Sequence, residues 1–238
     1  MLMSRTAHLS CALALLLAAP ARAGEGWTTV TDGPIVVKTR SVPGTDVREV
    51  WAEGEIDAPV IEVQAALMDT EGYARFMKYI TESRWVGEPQ PDGSRLAYTL
   101  LELPVVSPRD YVISVRVDEM LEPGGIGRFS NRWYAVPDKA PRRTGVVRVR
   151  VNSGGWTVTP RDEGRKAWGV YRFQVDPGGY LPAFVADLGN RKGVTGTFRC
   201  VEWEARKRAA ERRARELEQA DLPRIAEVEK SEAPAEQR

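Results

Sequence analysis

The sequence predicts an α+β fold, a broad antiparallel sheet of about nine strands combined with two long helices. From Ile35 to Val175, short runs of β-branched and aromatic residues alternate with Gly, Pro and Asp, which is typical of antiparallel strands joined by turns. Two other segments have the three-and-four-residue apolar spacing of helices. The predicted strands span residues 35–42, 47–56, 82–88, 94–103, 110–120, 126–135, 145–152, 155–161 and 167–175.

Alternation along the strands predicts one apolar and one polar face of the sheet. In "DYVISVRVD" the apolar residues are Tyr111, Ile113, Val115 and Val117. The same alternation assigns Val147, Val149 and Val151 to the inner face, and likewise Tyr171, Phe173 and Val175. It assigns Arg148, Arg150 and Arg172 to the wet face.

The first helix is predicted over 58–69, where Val60, Val63 and Leu67 repeat at helical spacing after Asp57, a candidate N-cap. A short helical turn is expected over 72–77.

The second long helix is predicted to begin after "DPGGYLP", with Pro182 in an early position. Its apolar stripe contains glycines, each of which lowers helix propensity by about 1 kcal/mol relative to alanine. Beyond Trp203 the segment "EARKRAAERRARELEQAD" predicts a charged helical extension, and "EKSEAPAEQR" a disordered tail. The stripe consists of Phe184, Val185, Leu188, Val194, Phe198 and Val201.

The N-terminus predicts a secretory signal peptide over residues 1–23, because the apolar run "CALALLLAAP" is followed by "ARA". We therefore expect a periplasmic or secreted protein, with a domain over 24–205 and the extension and tail over 206–238. Cleavage removes His8 and Cys11, which leaves Cys200 and no histidine. It also leaves 32 basic against 33 acidic residues, a net charge of −1. We expect a soluble monomer.

This inventory excludes several kinds of chemistry. A Ser-His or Cys-His nucleophile needs an imidazole, and zinc sites depend on His and Cys. The balanced charge argues against nucleic acid as a partner. The Gly-rich "PGGIG", residues 123–127, is a hairpin turn and not a phosphate-binding loop, because no helix follows it. We predict no catalytic residue, metal or cofactor.

Two helices cover little of so broad a sheet, so its apolar face either packs on itself or encloses a cavity for an apolar ligand. Both outcomes remain open from the residues alone. Glu102 is either a polar group in such a cavity or a residue at a strand end. The candidate lining residues are Tyr98, Leu100, Tyr111, Ile113, Val115, Trp133, Val149, Val151, Tyr171, Phe173, Phe184 and Leu188.

Several motifs in order carry a resemblance to a known family. "SPRDYV", "GGW" followed by Pro160, "DPGGYLP" and a C-terminal helix resemble the START family, the STAR-related lipid transfer domains, over residues 27–205. The resemblance implies a helix-grip fold, in which a curved antiparallel sheet wraps around a long C-terminal helix. It also implies a tunnel for one lipid, closed by that helix and by the loop 135–145, which would contact membrane.

The resemblance has departures. Val115 stands where the sterol-carrying branch has a buried arginine, and Gly154 stands where the phosphatidylcholine-binding branch has a glutamine, although Arg75 lies near that branch's helix arginine. Arg109 and Asp110 are interpreted as a half-buried pair that fixes the preceding turn.

The leading hypothesis is a non-enzymatic carrier of one lipid or other apolar molecule. The alternatives are a cyclase or hydrolase using Glu102 or Tyr98, and a ligand-free interaction module using the charged helix.

Overall fold

The computed structural model describes residues 26–45, 47–179 and 193–232. The predicted signal peptide lies outside these residues, as do Pro182, Phe184, Val185 and Leu188. The described strands are β1 (Thr28–Asp32), β2 (Ile35–Ser41), β3 (Arg48–Ile56), β4 (Ile80–Val86), β5 (Arg95–Leu101), β6 (Arg109–Glu119), β7 (Phe129–Ala135), β8 (Val147–Arg148), β9 (Val151–Arg161) and β10 (Lys166–Asp176). The described helices are α1 (Val60–Met68), α2 (Tyr73–Phe76) and α3 (Gly193–Glu232).

The described strands form one sheet, in the order β1-β2-β3-β10-β9-β7-β6-β5-β4. Neighbours in this order pair antiparallel, and only β8 pairs parallel, with Arg109 and Asp110 of β6. β3 and β10, distant in sequence, bring the two halves of the chain together at the centre of the sheet. The predicted antiparallel sheet of about nine strands is confirmed.

Two parts of the strand prediction are wrong. β1 was not predicted, because "TTVTD" contains a single apolar residue and pairs through a bulge. The predicted strand 145–152 is divided: Val147 and Arg148 pair with β6, whereas Val151 begins β9 and pairs with β10. The alternating valines extend through both pieces, so the pattern does not reveal that the chain changes partners between them.

The first helix agrees with its prediction except at its start. It begins at Val60, after Pro59, without a side-chain cap, so Asp57 is not the N-cap. The backbone N–H of Asp57 instead donates to Glu202 of α3 at 3.0 Å.

α1 and α3 cover one face of the sheet and enclose the main core. Gly169 allows α3 to pack closely, because a Cβ atom there would lie 3.1 Å from the Phe198 ring. The core is formed by Val37, Ala52, Ile56, Val63, Phe129, Val158, Val194, Phe198 and Val201.

Ion pairs continue the contact between α3 and α1 beyond this core. Arg208 lies 2.5 Å from Asp69 and 2.8 Å from Glu204, and Arg212 lies 2.8 Å from Glu62. α3 then continues to Glu232, so the first four residues of the segment predicted as a disordered tail are helical. Among the described helices, none combines the length and apolar character needed to cross a membrane.

Candidate functional site

The pairing of β5 with β6 determines which side chains share the concave face, which is the face covered by the helices. Thr99 is opposite Tyr111, and Ala97 is opposite Ile113, so these residues lie on the concave face. Tyr98, opposite Val112, lies on the outer face.

Two predicted lining residues of β5 are therefore misplaced. Tyr98 and Leu100 lie on the outer face, where Leu100 is opposite Asp110. In this strand both faces carry apolar residues, so alternation does not distinguish them. Val151 is a third error, because it lies on the outer face at the start of β9 and is 38% exposed.

The predicted residues of the central strands do come together on the concave face. The ring of Tyr171 stacks on that of Trp156 at 4.5 Å and on that of Phe173 at 4.6 Å, and lies 6.0 Å from that of Trp133. Phe198 of α3 also contacts Trp156, with 4.9 Å between ring centroids. These rings form a continuous aromatic wall from β7 to β10.

Three tyrosines on this side of the sheet share an unusual environment. Burial raises the pKa of Tyr73, Tyr111 and Tyr171, and the Tyr111 hydroxyl raises the pKa of the other two further. Each side chain nevertheless keeps part of its surface accessible. The hydroxyl of Tyr73 donates to the Leu67 carbonyl at 2.6 Å, and Thr99 hydrogen-bonds Tyr111. Burial thus favours the neutral form of all three phenols.

Five further residues were predicted to line the concave face. Ile113 and Val115 are half-buried on the concave face, and Val149 is buried next to β8. Phe184 and Leu188 lie outside the described residues.

Sequence reasoning missed a charged residue of this wall. Arg95 is opposite Val115 in the β5–β6 register, so its side chain is on the concave face. Its guanidinium lies 4.1 Å from the centroid of the Trp85 ring. The available signal was the alternation of β5 itself, in which Arg95, Ala97 and Thr99 share one parity.

The Arg109–Asp110 interpretation is also wrong, because adjacent residues of a strand point to opposite faces. Arg109 lies on the same face as Tyr111, where its Nη1 donates to the Ser107 carbonyl at 2.7 Å and its Nη2 to the Gly178 carbonyl at 3.4 Å. Burial lowers the pKa of Arg109.

Asp110 instead forms an ion pair on the outer face with Arg148, a residue that was predicted to be solvent-exposed. Nε of Arg148 donates to Oδ1 at 2.6 Å and Nη2 to Oδ2 at 3.0 Å, while the hydroxyl of Tyr98 donates to Oδ2 at 3.1 Å. Hydrogen bonding to Asp110 raises the pKa of Arg148. Arg148 also donates to the carbonyls of Pro137, Ala140 and Pro141.

A second group of ion pairs attaches the loop 135–145 to β4. Arg143 donates to Glu82 at 2.6 and 3.0 Å, and Arg84 of β4 donates to the same carboxylate at 3.0 Å. The guanidinium groups of Arg143 and Arg84 lie 4.9 and 4.8 Å from the Tyr98 ring centroid. Hydrogen bonding by Arg143 lowers the pKa of Glu82. The loop 135–145 is thus attached to the outer face, while Asp138, Lys139 and residues 141–145 remain exposed.

No family model matches the sequence, and no curated protein matches it. The fold is similar to that of the STAR-related lipid transfer protein of Xanthomonas axonopodis, with a TM-score of 0.64 and 28% sequence identity over 76% of this chain and 99% of that one.

Two human proteins are similar in fold. StAR-related lipid transfer protein 5 gives a TM-score of 0.66 at 21% identity, over 78% of this chain and 89% of that one. STARD10 gives 0.65 at 19% identity, over 85% and 80%. The sheet order, the concave face covered by α3 and these similarities show that the chain has the helix-grip fold of these lipid transfer proteins.

Proposed function

We propose that this domain binds one lipid or similar apolar molecule between its concave face and its helices, and carries that molecule without covalent chemistry. The observation that carries the proposal is the aromatic wall on the concave face, in which the rings of Trp133, Tyr171 and Phe173 adjoin one another. Each of these three side chains is only half-buried. This combination is expected of side chains that border an interior space, and aromatic walls with a few polar groups are typical of ligand pockets.

Apolar burial supplies the driving force. At about 25 cal/mol per Å², a ligand that hides several hundred Å² gains on the order of 10 kcal/mol before ordering costs are subtracted. The names of the Xanthomonas axonopodis protein and of human StAR-related lipid transfer protein 5, both lipid transfer proteins, support the same function.

The enzymatic alternative depends on Glu102 or Tyr98 as the acid–base group. Glu102 is exposed just beyond β5, and its backbone N–H donates to the Tyr79 carbonyl at 2.9 Å. Tyr98 lies on the outer face and donates to Asp110. Neither group borders the concave face, so neither can act on a ligand held there.

We also propose that the protein is exported from the cytoplasm. The leader-like residues 1–23 favour export followed by cleavage after Ala23. N-terminal sequencing of the protein recovered from outside the cytoplasm should begin at Gly24. An intact N-terminus on cytoplasmic protein would contradict export.

Ligand exchange is proposed to occur at a membrane, through the exposed tip of the loop 135–145 and the C-terminal helix. Arg142 is exposed at that tip. In a vesicle-to-vesicle transfer assay, Arg142→Glu should slow transfer between anionic vesicles without changing ligand affinity. An unchanged transfer rate would remove the loop tip from the exchange step.

Native mass spectrometry of the purified full chain tests the central proposal. We expect a monomer with one bound molecule that solvent extraction releases, and one equivalent of oleyl alcohol taken up by the extracted protein. A chain that is repeatedly empty and takes up no oleyl alcohol or other apolar probe would overturn the carrier function.

A further inference from the structure

Arg95 is a cation on an otherwise apolar part of the concave wall. It starts β5, and its neighbours across the sheet on the same face are Val115 and then Trp133, which are opposite each other in the β6–β7 register. Tyrosines and aromatic rings form the rest of this wall. A charge at this position is costly unless something compensates it.

The described residues provide only partial compensation. The ring of Trp85 lies against the guanidinium at 4.1 Å, which satisfies one face of that planar group. Nε of Arg95 is buried, and no hydrogen-bond acceptor among the described residues reaches it. Arg109, another arginine on the concave face, donates through its two Nη nitrogens to backbone carbonyls.

The geometry of the Arg95 guanidinium indicates which chemical group of a ligand would pair with it. Stacking on Trp85 leaves the edge of the guanidinium, with its N–H groups, directed away from the ring. Nε is shielded, so the two Nη nitrogens present the fork that matches the two oxygens of a carboxylate or a phosphate. A neutral hydroxyl or ester can accept one such bond but cannot neutralise the charge.

We infer that Arg95 binds the anionic head of the carried molecule, so that the ligand is an acidic amphiphile with a carboxylate or phosphate group. This inference rests on the proposed carrier function and specifies the ligand class of the same site. The head lies against the edge of the Arg95 guanidinium that points away from Trp85, at the β4–β5 end of the wall, and the apolar chain runs past Val115 toward Trp133. Arg95 is thus a specificity-determining residue.

Chain-matched probes test the inference on the wild-type protein. Oleate and oleyl alcohol share one hydrocarbon chain and differ in the charge of the head. Isothermal titration of the extracted full chain, at mildly alkaline pH, should give an affinity for oleate at least about 10-fold higher than for oleyl alcohol, since charge-assisted hydrogen bonds are the stronger kind. Oleoyl lysophosphatidate in place of oleate distinguishes a phosphate head from a carboxylate head.

Variants assign the preference to Arg95. Arg95→Gln should bring the two affinities to within about 3-fold by weakening oleate alone, and Arg95→Lys should keep most of the preference. Arg116→Gln is the matched control, because it removes a charge from the outer face next to Val115, and it should leave both affinities unchanged.

The outcomes separate the two proposals. Equal affinity of the wild-type protein for oleate and oleyl alcohol, or a preference for oleate that survives Arg95→Gln, would overturn the role of Arg95 while the carrier function stands. Binding of none of the three probes would overturn the carrier function as well. If Arg95→Gln fails to fold, the wild-type comparison and Arg95→Lys still decide the question.

Discussion

Asp110 and Arg148 form a bidentate ion pair between side chains that are 1% and 2% exposed, on the face of the sheet opposite the candidate ligand site. The pair joins β6 to the segment that follows β7, and the same guanidinium donates to three carbonyls of that segment. The "SPRDYV" motif therefore has a structural role, in which Asp110 orders the loop 135–145.

Breaking this pair should destabilise the domain strongly. Removing one partner of a buried pair leaves an uncompensated charge and costs about 3–5 kcal/mol. Asp110→Asn and Arg148→Met should each lower the free energy of unfolding by that amount in urea titrations. Asp110→Leu combined with Arg148→Met should lose less than either single change.

The control for this experiment is Asp118→Asn. Asp118 lies 3.4 Å from Arg132 and 3.7 Å from Arg116, and both arginines are about half exposed. Its replacement should cost less than about 1 kcal/mol. If Asp110→Asn were as mild as Asp118→Asn, the proposed role of the buried pair would be wrong.

Stability should fall at alkaline pH because of Tyr98. Burial, followed by the charge of Asp110 and its hydrogen bond, raises the pKa of Tyr98 from 10.0 to about 12. The folded state therefore retains the proton after the unfolded state has lost it, so stability present below pH 10 is lost as the pH rises toward about 12.

Tyr98→Phe tests this assignment. The variant should lose about 1 kcal/mol at neutral pH, where the hydrogen bond to Asp110 is missing. It should lose less additional stability than the wild type above pH 10. Tyr134→Phe, at a side chain on the outer face that is 55% exposed, is the control and should follow the wild-type pH curve.

Under the proposed carrier function, a larger side chain on the concave face should block ligand binding. Ile113 is half-buried there, next to Ala97 and Ala135 on the neighbouring strands. Ile113→Trp should reduce uptake of oleyl alcohol by at least about 10-fold, with a destabilisation below about 3 kcal/mol, which is typical of overpacking. Tyr134→Trp, on the outer face, should leave uptake unchanged. Normal uptake by Ile113→Trp would mean that the ligand lies elsewhere.

The "GGW" motif should tolerate no side chain at its second glycine. A Cβ atom on Gly155 would lie 2.5 Å from the Asn131 carbonyl oxygen of the neighbouring strand. Gly155→Ala should therefore lower the melting temperature. Gly196→Ala, in α3 with no atom within 4 Å of the added carbon, should raise stability by up to about 1 kcal/mol. Opposite signs for these two changes are the expected result, and equal effects would contradict the close approach of the strands.

Only the first turns of the charged extension of α3, up to Arg215, should contribute to the stability of the domain. Glu204 and Ala205 are buried, and Arg208 and Arg212 pair with Asp69 and Glu62. A chain ending at Arg215 should keep the melting temperature and the ligand of the full chain. A chain ending at Trp203 should lose about 2 kcal/mol or more, since it exposes this contact. Loss of ligand by the chain ending at Arg215 would assign a binding role to the last helical residues.

The sequence predicted the elements whose apolar residues obey a single period. The α1 segment has helical spacing on one face, and β10 alternates Tyr171 and Phe173 with Arg172 and Gln174, so both were assigned correctly. The prediction failed in β5, where Ala97, Tyr98 and Thr99 are all buried. The segment after β7 packs against the outer face of that strand and Tyr98 is buried there, so alternation had no exposed side to detect.

The sequence by itself determined the α+β class, the antiparallel strands and the resemblance to START domains, because turn residues and apolar period are local properties of the chain. Only the tertiary structure decided that Asp110 pairs with Arg148, 38 residues away, and that Arg95 and Val115 share the concave face. These depend on strand register and on which segment covers each face. Both arise from contacts between residues far apart in sequence, which no local pattern records.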